Sequence, residues 1–97
     1  MSFLVRIQNG KAKLYDNRSY KRSIGNDVVS ADCDDEYVVI VERGRAKQYT
    51  TGGSFKRNIG ESNAIDVRLN GDSIIVEYAN GRAKEYRVQN GAFVRSY

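Results

Sequence analysis

Three segments of this chain repeat one basic pattern. Residues 9–15 read NGKAKLY, residues 43–49 read RGRAKQY and residues 80–86 read NGRAKEY. Lys11, Arg45 and Arg82 are equivalent, as are Lys13, Lys47 and Lys84. A second set follows each motif in SYKRSIG (19–25), SFKRNIG (54–60) and AFVRSY (92–97), where Arg22, Arg57 and Arg95 correspond. Cations spaced this regularly, with tyrosines beside them, have the chemistry to bind a polyanion: phosphates by charge, bases by stacking. The same residues also suit solvated outer strands, where Lys and Arg deter edge-to-edge pairing.

Other chemistry is poorly provided for. The chain has no histidine, so it lacks a Ser-His or Cys-His nucleophile and any imidazole ligand for zinc, iron or copper. The single cysteine, Cys33, has no partner for an internal disulfide, which favours a reducing cytoplasmic setting. The acidic run DCDDE (32–36) offers oxygen ligands at close spacing but lacks the fixed glycine of a calcium loop, and it reads as a solvated hairpin tip. These features predict a non-enzymatic protein with no metal and no cofactor. The longest apolar run, YVVIV, is far too short for a membrane span, and no membrane partner is expected. The net charge of +4 permits a polyanion partner without requiring one, because acids are interleaved throughout.

The elements that must position these residues are strands. Gly10, Gly44 and Gly81 stand 34 and 37 residues apart. A β-branched run precedes each motif: SFLVRIQ (2–8), EYVVIVE (36–42) and DSIIVEY (72–78). Ahead of two of these come DVVSADC (27–33) and AIDVRL (64–69). Turn pairs stand between the runs, and no window shows a 3.6-residue apolar period. The unit is therefore four short antiparallel strands, and the first repeat lacks its inner one. About 11 strands result, in a single all-β domain (1–97) with repeats of roughly 2–25, 26–60 and 61–97.

Two-residue turns at Asn9-Gly10, Arg43-Gly44 and Asn80-Gly81 predict a register. Ile7 should face Ala12, Val41 should face Ala46 and Tyr78 should face Ala83. On the other side Leu4 should face Tyr15, Val38 should face Tyr49 and Ile75 should face Tyr86. The same count sets Glu42 against Arg45 and Glu77 against Lys84, so ion pairs would partly neutralise the basic positions. Both sides of each hairpin carry apolar residues, as stacked small sheets require.

On this pattern the repeat resembles a β-propeller blade, most closely the NHL type. Residues 60–97 carry the order: inner strand, turn, β-branched strand, tight turn with a basic residue, aromatic-ended strand, outer strand. The sequence departs from the family in lacking the proline common before the inner strand. The resemblance implies a binding or scaffolding module, and some NHL-type domains use a basic face for RNA. Closed propellers need about 4–8 blades, and this chain supplies fewer than three complete ones. A ring would then close between chains, most simply as a homodimer. A β-trefoil or a small antiparallel barrel are the alternative folds. Nucleic-acid binding through the repeated Lys and Arg positions, another protein partner, or carbohydrate binding by the tyrosines are the alternative functions.

Overall fold

The computed structural model describes residues 2–97; Met1, the one residue ahead of the first predicted strand, lies outside them. Eleven strands form and no helix appears among the described residues. They fall into three separate antiparallel sheets, here called blades. Blade 1 holds β1 (Phe3–Gln8), β2 (Lys11–Asp16) and β3 (Ser19–Ile24). Blade 2 holds β4 (Val28–Cys33), β5 (Tyr37–Glu42), β6 (Arg45–Thr50) and β7 (Phe55–Ile59). Blade 3 holds β8 (Ala64–Asn70), β9 (Ser73–Tyr78), β10 (Ala83–Arg87) and β11 (Phe93–Ser96). Each blade is a plain meander, and no ladder joins one sheet to another among the described residues. A single closed barrel is thereby excluded.

The blades stack face on face. Ala12 and Leu14 of blade 1 pack with Val38 and Ile40 of blade 2 in one core, flanked by Phe3 and Val5. Val39, Val41 and Ala46, on the opposite face of blade 2, pack with Ile74, Val76, Tyr78 and Tyr86 of blade 3 in a second. The run Val38–Val41 is consequently buried at every position, because alternate side chains enter different cores. We call the face turned toward the next blade in the chain the leading face, and the opposite one the trailing face.

Backbone contacts fix the stacking. The Val28 amide donates to the Gly10 carbonyl at 2.8 Å, and one blade later the Ala64 amide donates to the Gly44 carbonyl at 2.9 Å. The start of each inner strand is thus tied to the hairpin turn of the preceding blade.

The first two hairpins take the predicted register: Ile7 faces Ala12, Leu4 faces Tyr15, Val41 faces Ala46 and Val38 faces Tyr49. Their turns have two residues with positive φ, at Asn9 (54°) and Gly10 (75°) and at Arg43 (52°) and Gly44 (78°), as a type I′ turn demands. The third hairpin departs from the expectation. Ala83 faces Glu77 rather than Tyr78, and Tyr86 faces Ile74 rather than Ile75. The cause is one extra loop residue, Ala79. The Tyr78 amide bonds the Arg82 carbonyl, and the Gly81 amide bonds the Tyr78 carbonyl at 3.0 Å. Only Gly81 takes positive φ there (87°), so the connection is a three-residue loop ending in a left-handed residue. A slip of one residue turns the strand over. It brings Tyr78 into the core and sets Glu77 on the outside.

Each blade repeats a bulge and an aromatic pair at the same place. The register shifts between Leu14 and Tyr15, between Gln48 and Tyr49, and between Glu85 and Tyr86. Beyond each bulge two rings meet edge to face: Tyr15 with Tyr20 at 5.7 Å, Tyr49 with Phe55 at 5.4 Å and Tyr86 with Phe93 at 5.9 Å. Such pairs contribute about 0.5–1.5 kcal/mol beyond area burial. The repeated tyrosines are packing residues.

Gly60 lies against the most crowded of these sites. A methyl group there would stand 2.2 Å from Tyr78 Oη and 2.4 Å from Tyr86 Oη, two hydroxyls that bond one another at 2.8 Å. Its φ is also +67°, whereas Gly81 combines φ of +87° with open space around it. Gly60→Ala should therefore lose about 2–4 kcal/mol, from overpacking added to backbone strain, and Gly81→Ala about 1–2 kcal/mol from strain alone. Urea denaturation of the two variants checks the difference.

Candidate binding surface

The structure separates the nine repeated cations by what they touch. Arg22 and Arg57 reach across to the next blade. Arg22 Nη1 donates to the Gly52 carbonyl at 2.9 Å, and Arg57 Nη1 donates to the Val88 carbonyl at 3.1 Å. Arg57 also donates to Gln48 Oε1 at 2.6 Å, while Gln48 Nε2 donates to the same Val88 carbonyl at 2.9 Å. Gln48 is fully buried, so this closed set of bonds compensates the loss of its water. Arg95 holds the corresponding place in blade 3 and stands 3.5 Å from Glu85.

The motif lysines are divided in the same way. Lys47 pairs with Glu42 at 3.1 Å, and both side chains are largely shielded. Lys84 pairs with Glu61 and sits near the rings of Tyr78 (5.8 Å) and Phe93 (5.9 Å). The expected partner Glu77 is instead 3.9 Å from Arg68, as the register slip requires. Lys13 faces Arg6 across the ladder and occupies the same place in blade 1, where Gln8 replaces the glutamate of blade 2. Lys11 donates to Asn26 Oδ1 at 2.8 Å. Arg45 and Arg82 lie beside their turns at the hairpin ends. The nine side chains therefore do not form one continuous band: four are committed to fastening or pairing in blades 2 and 3, one fastens blade 1 to blade 2, and the rest are scattered.

A polar hollow of about 620 Å³ opens beside the third hairpin, lined by Glu61, Asn63, Tyr78, Asn80, Arg82 and Lys84. Its cation and anion already satisfy each other, and the Lys84 ammonium holds the Glu61 carboxyl below its ordinary pKa. The acidic run at 32–36 is likewise occupied with the backbone. Asp32 accepts from the Leu69 amide at 2.8 Å, and Asp34 accepts from the Glu36 and Tyr37 amides at 2.8 and 2.7 Å. Burial, with Asp32, Asp34 and Asp35 adding to it, pushes the Cys33 thiol up to about 11. A thiol held protonated is a poor nucleophile.

What remains unclaimed is the outermost face at each end of the stack. Leu4 is 58% exposed, although its equivalents Val38 and Ile74 are wholly buried. It lines a hollow of about 240 Å³ with Arg6, Tyr15 and Arg18 on the trailing face of blade 1. On the leading face of blade 3, Ile75 lines a hollow of about 440 Å³ with Arg68, Leu69, Asn70 and Tyr97. The motif alone does not point to Arg6, Arg18 or Glu85, and it offers Glu77 only as a partner for Lys84. Alignment of the three β-branched strands contains the missing signal, since Arg6 stands where Ile40 and Val76 stand in the other blades.

Burial disfavours the Glu42 carboxylate, but the Asn26 amide and the Lys47 ammonium outweigh it and hold its pKa below the ordinary value. A carboxylate depressed by folding contributes stability above its unfolded pKa, and that contribution disappears as pH falls through the folded one. Glu42→Gln should lower Tm by roughly 4–8 °C near neutrality, the shift about 1 kcal/mol makes in a domain of this size. The gap to wild type should close as the pH falls below the ordinary carboxylate range, which thermal melts at a series of pH values will show.

No family model matches the chain, and no curated relative matches it. Solved structures do. The computationally designed Ika4 protein superposes with a TM-score of 0.77 at 18% identity, covering 98% of this chain and 66% of that one. BamB from Moraxella catarrhalis gives 0.73 at 18% identity over 96% of this chain, and Sqt1 from Saccharomyces cerevisiae gives 0.73 at 11% over 91%. The chain spans only 31% of BamB and 28% of Sqt1. These likenesses show a propeller-like fold, carried here by three blades.

Proposed function

We propose that the chain is a non-enzymatic binding or scaffold module whose working surface is completed by self-association, most simply as a homodimer of two three-blade stacks. The observation that carries this reading is the contrast between inner and outer faces. Leu4 on the outer face of blade 1 is exposed where Val38 and Ile74 are wholly buried, and Ile75 on the outer face of blade 3 is half-buried where Val39 is wholly buried. Two chains supply six blades, inside the range of about 4–8 that closes a propeller, and three chains would exceed it. The order of residue types over 60–97 supports an NHL-type blade within this reading, and the absence of a second cysteine supports a cytoplasmic setting.

A polyanion such as RNA or DNA is the second reading. It rests on Arg6 and Lys13, which face each other across one exposed ladder position with Arg18 beside them. Like charges directly opposite are destabilising, so a face of this kind gains from a countercharge.

Light scattering coupled to size exclusion tests the leading reading. The expected result is a mass near twice 10.9 kDa. A monomer at every concentration up to the millimolar range would rule out assembly and leave the second reading.

A further inference from the structure

We infer that the chains join head to tail, the leading face of blade 3 in one copy seating on the trailing face of blade 1 in the next, with Glu77 and Glu85 meeting Arg6 and Lys13. This rests on the assembly reading above and specifies its interface.

The argument comes from position in the repeat. At the junction between blades 2 and 3, the leading face presents Val39, Val41, Ala46 and Gln48, and the trailing face presents Ile74, Val76 and Tyr86. At the two ends of the stack the same places are filled differently. On the outer leading face, Ile75 stands for Val39, Glu77 for Val41 and Glu85 for Gln48. On the outer trailing face, Leu4 stands for Val38 and Arg6 for Ile40, with Lys13 opposite Arg6. Charge thus replaces core residues at both ends: Glu77 and Glu85 on one, with Arg68 and Arg95 beside them, and Arg6 with Lys13 on the other. In a stack continued by a second copy, Arg6 takes the place of Val76 against Glu77 in the place of Val41. Leu4 and Tyr15 take the places of Ile74 and Tyr86 against Ile75.

The fastening arginines continue the same series. Arg22 and Arg57 each bond a carbonyl in the β-strand connection of the following blade. Arg95 comes third, and the corresponding connection on the next copy is the turn between β2 and β3. Glu85 is already drawn into this face, with Ser73 Oγ donating to it at 2.6 Å and the Tyr97 hydroxyl donating to its other oxygen.

The charges also disfavour a contact between two trailing faces. Two trailing faces brought together would set Arg6, Lys13 and Arg18 against their own copies, and like-charge juxtaposition at an interface costs several kcal/mol. The head-to-tail contact generates two identical seams in a closed dimer.

Charge reversal tests the pairing. Arg6→Glu and Glu77→Lys alter half-exposed or exposed side chains, so both variants should fold, as far-ultraviolet dichroism will verify. By sedimentation velocity, each single variant should self-associate at least about tenfold more weakly than wild type. Arg6→Glu combined with Glu77→Lys in one chain should restore association to within about threefold, because every seam then regains an opposite pair. A wild-type monomer overturns the assembly reading itself. A wild-type oligomer whose mass is indifferent to Glu77→Lys overturns the seam alone. If Arg6→Glu abolishes binding of single-stranded RNA at low salt while the mass is unchanged, the trailing face serves a polyanion and the seam is likewise overturned.

Discussion

A strand with apolar side chains on both faces has to be covered twice. This constraint governs the molecule more than any single contact. Val38–Val41 in the middle blade are buried without a break, which only neighbours on both sides can achieve. A blade of three or four short strands has no interior of its own; it borrows half a core from each neighbour. The meander, the tight turns and the repeated bulge all serve to present two usable faces at a fixed spacing. Stability is shared between adjacent blades, and the blades at the ends of the stack are each left one neighbour short.

Apolar packing alone would let such sheets slide over one another. Polar contacts set their alignment. The inner-strand amides held by Gly10 and Gly44 locate each blade along the strand direction. Arg22 and Arg57 locate it at the opposite edge, through carbonyls of the next blade. Gln48 is the one wholly buried polar residue among those described, and both ends of its amide are used. A buried amide that bonds in only one arrangement penalises every other alignment, since any slide would leave it unpaired in a dry core. Within the repeated basic pattern, so suggestive of a ligand when seen as a string, Arg22 and Arg57 hold one blade to the next.

The strand positions and two of the three registers could be read directly from the sequence, because β-branched runs bounded by two-residue turns leave little choice. The third register could not. NGRAKEY looks like its counterparts, yet Ala79 lengthens the loop, and the partner strand reaches it one residue out of step. The motif keeps its own geometry while Tyr78 and Glu77 exchange sides, so local similarity concealed a change visible only in the pairing. The roles of Arg22 and Arg57 were hidden for a different reason. Their acceptors lie in the connections at 51–54 and 88–92, whose lengths differ from the short turn of blade 1 and whose course no periodicity predicts. Arg6, by contrast, was legible: once the three strands are aligned, a charge at a core position stands out.

That charge shows how a stack of interchangeable blades can restrict which faces dock on one another. If the outer faces were as apolar as the inner ones, any blade could dock on any other, in either orientation, and edge strands such as β1 would invite further pairing. In the proposed seam, placing Arg6 and Lys13 on one end and Glu77 and Glu85 on the other favours one orientation of contact. The cost is some hydrophobic area and the desolvation of charges that must be paired when covered. An ion pair of this kind adds little net stability compared with the valine and isoleucine it replaces. Its effect lies in what it disfavours, because docking of two trailing faces would set Arg6 and Lys13 against like charge. Discrimination between seams then comes from repulsion in the wrong contacts more than from attraction in the right one.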